Sequence, residues 1–152
     1  MLIESLLKPE QIKLDVLSRQ RQFAIEEVAS LLKSNANVLD YKGFYDELLI
    51  REKMESTCLG NEIAFPHART DHLKGMVLAV GRSLEGVAYE GTGQTVRLIF
   101  VIGTPKRMVT DYLSVVGGLA RLLKEGSLRE DLIRVKTPRE FIDVLLKANA
   151  VA

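Results

Sequence analysis

Tryptophan is absent, cysteine occurs once, at Cys58, and histidine only twice, at His67 and His72. One cysteine cannot build an internal disulfide framework, and it fits the reducing environment of a cytoplasm. Long apolar runs are missing too. Met76 to Val80 and Leu98 to Ile102 are the longest strongly apolar ones, at five residues each, against the ~20 that a bilayer-crossing helix needs. The N-terminus has no secretory pattern of basic, apolar and small-residue regions, so a cytoplasmic chain without membrane insertion is expected. Excess charge of either sign is also lacking. A formal net charge of +1 gives no general pull toward nucleic acid or anionic lipid. A metal site built from Cys58, His67 and His72 would need a fourth ligand and lacks the usual paired spacings, so neither a metal nor another cofactor is expected.

What is present suits one globular domain over residues 1–152: 152 residues, 47% hydrophobic and 27% charged, are enough for a sizeable core. Residues 1–17 read as a short helix or turn and then an extended piece. From Ser18, a candidate N-cap, the residues Phe23, Ala24, Ile25, Val28, Leu31 and Leu32 follow helical spacing. Asn35 and Asn37 stand where a left-handed stop is accepted. A second helix starts at Asp40, carries Phe44, Leu48 and Leu49 inward, and delivers Arg51 and Glu52 in its last turn.

Strands are expected at Ile63 to Phe65, at Met76 to Gly81 and at Val96 to Ile102, the last apolar enough for a central strand covered on both faces. Gly91-Thr92-Gly93 reads as a hairpin turn rather than a phosphate cradle, since no Lys-Ser/Thr follows and a strand comes next. Thr104-Pro105 ends the strand. Thr110 is a candidate cap for a helix with Leu113, Val116, Ala120 and Leu123 at spacings of three and four. Gly117-Gly118 within it calls for close packing against another backbone. Ser127–Glu130 and Thr137–Glu140 both read as capping boxes, with Pro138 at the first helical position, and the last helix buries Phe141, Ile142 and Leu145. The expected fold is a single α/β domain, a mixed β-sheet sandwiched between helices.

The most informative stretch runs from Arg51-Glu52 through Ser56-Thr57 and Gly60 to Ile63-Ala64-Phe65-Pro66-His67-Ala68-Arg69. Pro66 fixes its own φ and pushes Phe65 toward extended geometry, so His67 sits at a strand end with little backbone freedom. A lone histidine with arginines and hydroxyls from both flanks is what a phosphoryl-bearing imidazole needs. A satisfied histidine beside a surface ion pair is the alternative on these residues alone. Arg51 has the planar fork that matches phosphoryl oxygens, or else pairs with Glu47, Glu52 or Glu55. Glu52 is expected to orient Arg51, since a carboxylate would repel phosphate. Ser56 and Thr57 either donate to phosphoryl oxygens or satisfy loop backbone. Arg69 either contacts the phosphoryl group, meets an acidic partner, or is solvated. His72, five positions from His67, is expected in a surface loop.

The pattern R-E…S-T…G…I-A-x-P-H-A-R resembles the active-site signature of the fructose/mannitol-type enzyme IIA domains of the bacterial phosphotransferase system. That family includes stand-alone nitrogen-regulatory members. The opening Leu6-Leu7-Lys8-Pro9-Glu10-Gln11-Ile12, the V-x-x-x-G-x-G-Q-x-V stretch from Val87 to Val96 and the closing helices also fall in family order, so the resemblance covers nearly the whole chain. It implies that His67 accepts a phosphoryl group on Nε2 with Nδ1 held by a backbone carbonyl, and that Arg51 lies beside it. It also implies partners: an HPr-like phosphohistidine carrier as donor and an enzyme IIB of a sugar transporter as acceptor, or a regulated target protein.

Two departures stand out. Relatives have glycines near Asn61-Glu62, where this chain places a carboxylate. They commonly open a later helix with a second histidine, whose place Tyr112 takes here. A tyrosine hydroxyl can donate to a phosphoryl oxygen but cannot carry the positive charge of histidinium.

Overall fold

Between Val77 and Thr104 the chain builds its longest pairing, and the other strands are laid against it. The computed structural model describes residues 2–151. In chain order the elements are α1 (Leu2–Leu6), β1 (Ile12–Lys13), α2 (Arg21–Ala29), α3 (Tyr41–Met54), β2 (Cys58–Gly60), β3 (Ile63–Ala64), β4 (His67–Arg69), β5 (Val77–Tyr89), β6 (Gln94–Thr104), α4 (Val109–Leu122), α5 (Gly126–Arg134) and α6 (Pro138–Val151), with single 3₁₀ turns at Pro9–Gln11 and Ser30–Leu32. The sheet order is β1-β5-β6-β3-β2, and β4 also pairs with β6. β5 and β6 are antiparallel, while β3 and β4 both run parallel to β6. The sheet is therefore mixed, as expected.

From Leu98 to Ile102 the residues of β6 point alternately to two cores, which is why that stretch is apolar throughout. Leu98, Phe100 and Ile102 face a cluster that includes Ile3, Val115, Leu119, Leu132, Phe141 and Leu145, from α1, α4, α5 and α6. Ile99 and Val101 face Ala24, Ile25, Val28, Phe44 and Leu48, from α2 and α3. The sheet thus lies between two helical layers. Pro66, which has no N–H to give, separates β3 from β4 along one side of β6, and its carbonyl accepts from the Ile102 N–H at 2.9 Å.

Several helix boundaries differ from expectation. Ser18 does not cap α2. The helix begins at Arg21, and the N–H groups of Leu17 and Ser18 donate instead to the Glu27 carboxylate. Phe23, expected inward, is 53% exposed. Neither Asn35 nor Asn37 takes a left-handed conformation: α2 runs into a 3₁₀ turn, and the Asn35 side chain accepts from the Asn37 N–H and donates to Gln11. α4 starts before Thr110, with Met108 as the residue ahead of it, and buries Val115, Leu119 and Leu122 while Leu113 is 61% exposed. The apolar face is thus rotated by one position from the expected one. Ser127 lies inside α5 rather than capping it. Thr137 does cap α6, accepting from the Glu140 N–H at 3.1 Å and donating to its carboxylate at 3.3 Å.

Among the described residues the non-glycine ones with left-handed backbone are Asn61 and Glu62, at φ 53° and 66°, in the turn joining antiparallel β2 and β3. With Gly60 at φ 86° they make three positive-φ residues in succession, which turns the chain tightly, and glutamate there is strained by about 1–2 kcal/mol. Its carboxylate is held by the Arg97 guanidinium through two hydrogen bonds of 3.1 Å, which helps to fix the turn.

Gly117 does not pack against a backbone. A Cβ there would meet nothing within 4 Å, whereas one on Gly81 would lie 2.2 Å from Val28 Cγ2, where α2 crosses β5. Gly117→Ala should therefore stabilise the protein by about 1 kcal/mol, the helix-propensity difference. Gly81→Ala should destabilise it by about 1–3 kcal/mol through overpacking. Urea unfolding midpoints of the two variants check both signs.

Candidate functional site

α3 carries two stripes at helical spacing, and they define the site. Asp40 caps the helix by accepting from the Gly43 N–H at 3.1 Å, as the sequence indicates. One stripe, Phe44, Leu48 and Glu52, is buried. The next, Glu47, Ile50, Arg51 and Met54, lines an open cleft of about 460 Å³, whose other walls are His67, Ala68 and Arg69 from β4 and Tyr112 from α4. Arg51, His67, Arg69 and Tyr112, from three separate elements, thus surround one space.

His67 opens β4 rather than ending a strand, in register with Ile102. Its Nδ1 lies 2.8 Å from the Phe65 carbonyl oxygen. A carbonyl only accepts, so Nδ1 carries the proton and the Nε2 lone pair is free. Burial lowers the His67 pKa, against the Phe65 carbonyl, which raises it. The Arg51 charge lowers it further and Glu52 opposes that. The imidazole is therefore neutral near pH 7. Tyr112 is set with its ring centroid 5.5 Å from that of His67 and its plane tilted by 42°. Burial raises the phenol pKa, and the charges of Arg51 and Arg69 only partly offset this. Its hydroxyl stays protonated and able to donate.

The remaining candidates are placed differently from one another. Arg51 Nη1 donates to the Glu55 carbonyl at 2.8 Å. Arg69 reaches the Lys106 carbonyl at 3.5 Å. The Ser56 hydroxyl accepts from the Cys58 N–H at 3.1 Å, serving the loop backbone. Thr57 is buried, and its hydroxyl donates to both Glu52 oxygens, at 2.8 and 3.1 Å. Glu52 does not orient Arg51 directly. Its carboxylate is paired with Arg21 at 2.9 Å. Arg21 lies 31 positions upstream of Glu52, and no local pattern points to it. His72 lies outside the cleft, in a turn, with Nδ1 3.5 Å from Asp40 and Nε2 3.9 Å from Glu47.

A two-arginine cleft around a neutral histidine suits an anion-bearing intermediate. The family described as "Phosphoenolpyruvate-dependent sugar phosphotransferase system, EIIA 2" matches residues 5–148. The chain belongs to this family. As an EIIA 2 chain it is 31% identical over 146 residues to the fructose-specific EIIABC component of Bacillus subtilis, covering 95% of this chain but only 23% of that longer protein. It is 30% identical over 144 residues to the fructose-specific EIIA component of Haloferax volcanii, covering 94% of each. Among solved structures, the nitrogen regulatory protein IIA-Ntr of Neisseria meningitidis superposes with a TM-score of 0.88 at 31% identity, covering 95% of this chain and 99% of that one. The EIIA 2 chain is thus similar to sugar-specific and to nitrogen-regulatory relatives. Among its described residues no helix is long and apolar enough to cross a membrane.

The lowered His67 pKa has a definite sign. The unfolded chain takes up this proton near pH ~6.5, the folded chain only below that. Between the two the unfolded state holds more protons, so the stability contributed by neutral His67 is complete above pH ~6.5 and is lost as pH falls through the folded-state value. An NMR titration of the His67 ring should give a midpoint below ~6.5. Arg51→Met should move it upward, because a nearby positive charge is removed.

Proposed function

We propose that this chain is a phosphocarrier of the phosphotransferase system. It accepts a phosphoryl group on His67 from an HPr-like phosphohistidine carrier and passes it to an enzyme IIB. The observation that carries the reading is the free Nε2 of a neutral His67, its tautomer set by the Phe65 carbonyl, facing a cleft lined by Arg51 and Arg69.

In the reaction the Nε2 lone pair forms a bond to the incoming phosphorus. The phosphorus–nitrogen bond to the donor's ring breaks, and its electron pair returns to that ring. His67 becomes positively charged as it attacks, and the Phe65 carbonyl facing Nδ1–H stabilises that charge. Arg51 and Arg69 offer planar donor forks to the phosphoryl oxygens. Arg51 leaves the Glu55 carbonyl, or shares it, to do so. The Tyr112 hydroxyl donates one further hydrogen bond. Ile50 and Met54, both on the cleft wall and 59% and 77% exposed, give a partner protein an apolar surface to meet.

A second reading has a specific observation behind it. Tyr112 is a neutral donor where the resemblance leads one to expect a histidine, and the chain is as similar to a nitrogen regulatory protein as to the fructose-specific ones. In this reading the chain is a regulatory interaction module whose phosphorylation state controls a target protein, with slower transfer.

Incubation with phosphoenolpyruvate and the general phosphotransferase proteins, followed by intact-mass measurement, tests the first reading. A single acid-labile phosphoryl group is expected, lost in His67→Ala and kept in His72→Ala. Full labelling of His67→Ala would sink it. Arg51→Lys should fold normally and slow single-turnover transfer by roughly ten- to a hundredfold, the equivalent of about 1.5–3 kcal/mol for a charge-assisted contact. Tyr112→His should be faster than the parent and Tyr112→Phe slower. Equal rates for all three would make the tyrosine ordinary packing.

A further inference from the structure

Glu52 is 5% exposed and occupies the end of the same helical stripe as Phe44 and Leu48. An apolar side chain would fill that place without the cost of burying a charge. What the carboxylate adds is a set of fixed bonds. Arg21 Nε and Nη2 reach Glu52 Oε1 at 3.1 and 2.9 Å, and Nη2 also donates to the Glu52 carbonyl at 2.9 Å. Arg21 is itself held over the Tyr89 ring, 5.0 Å from its centroid, and donates to the Glu90 carbonyl at 3.3 Å. On its other side Glu52 accepts from the Thr57 hydroxyl.

Thr57 continues the connection into the site. Its carbonyl accepts from the Phe65 N–H at 3.0 Å, and the Phe65 carbonyl accepts from His67 Nδ1–H at 2.8 Å. The Glu55–Thr57 segment also supplies the carbonyl that holds Arg51, at 2.8 Å. One buried carboxylate thus anchors the segment from which both the His67 tautomer and the Arg51 guanidinium are set, although Glu52 is not among the residues lining the cleft.

We propose that Glu52, locked between Arg21 and Thr57, is a positioning residue for phosphoryl acceptance. It fixes the backbone of Thr57 and so, through Phe65, holds His67 in the single tautomer that exposes Nε2. The inference rests on the phosphocarrier reading for its rate consequence, but its structural content is measurable without any phosphoryl donor.

The test uses the full chain and three variants. Thr57→Val removes the hydroxyl at constant shape, Thr57→Ser restores it, and Arg21→Met/Glu52→Leu replaces the ion pair by apolar groups. Nitrogen-15 NMR reads the His67 tautomer and midpoint, urea unfolding reads stability, and single-turnover uptake from a phosphorylated HPr-like carrier reads rate. In Thr57→Val the His67 ring is expected to populate both neutral tautomers, and uptake to slow tenfold or more. The midpoint is expected to fall, because the Phe65 carbonyl favours the protonated ring. Thr57→Ser is expected to return all three to the parent values. The double variant should show the same tautomer mixing even where its stability matches the parent, which a purely structural ion pair would not produce. A single Nδ1–H tautomer and full rate in Thr57→Val overturn the proposal. If the parent chain takes up no phosphoryl group at all, the phosphocarrier reading fails, while the tautomer arm still decides the clamp.

Discussion

Two-sided burial of β6 is the constraint from which the rest of the architecture follows. A strand whose residues alternate between two apolar cores must have helices on both faces. The buried side chains from Leu98 to Ile102 leave no register in which one face could be turned to water. With β5 fixed on one side by the hairpin, only the other side of β6 remains for β3 and β4. That placement brings His67 level with Ile102, near the carboxyl end of β6, where α4 departs after a short loop with Tyr112 in its first turn. The histidine and the tyrosine meet because both are tied to the last residues of the same strand.

Electrostatics at the site is divided between an outer and an inner layer. The outer layer is cationic and open, with Arg51 and Arg69 each held by a backbone carbonyl and so able to turn toward an anion. The inner layer is a closed ion pair, Arg21 with Glu52, whose carboxylate is already satisfied by Thr57. This division resolves an apparent conflict. A carboxylate next in sequence to an arginine of the cleft wall would offset its charge if both faced the cleft. On a helix, neighbouring residues point about 100° apart, and here that angle puts Glu52 behind the wall that Arg51 forms.

Much of this was legible in the sequence where a signal was both strong and local. The apolar run at Leu98 to Ile102 located the central strand. Asp40 and Thr137 located two helix starts, because each has a partner within three residues. The Pro66-His67 pair and the resemblance around it singled out the histidine. Less was legible where several residues compete for the same role. Ser18, Thr110 and Ser127 are all competent caps, but Glu27 captured the Ser18 backbone, and α4 and α5 gained extra residues at their starts. The buried face of α4 lies one position from the one its spacing indicates, because Leu113 is apolar yet exposed, and Val115 and Val116 are equally good fillers by composition. Arg21 was not legible at all. Its role depends on where α2 crosses the end of α3, which no spacing encodes.

The topology sets unequal entropic costs on the pairings of the sheet. β5 and β6 are joined by a four-residue loop, 90–93, so their pairing costs little loop-closure entropy, whereas β3 and β4 must dock in parallel across a long intervening segment. The residues around the cleft come from three stretches, α3, β4 and α4. A chain with only its hairpin formed has the sheet's foundation but none of its chemistry. The cleft is complete only when α3, β4 and α4 are all in place, so a copy in which any one of them has come undone lacks the site altogether.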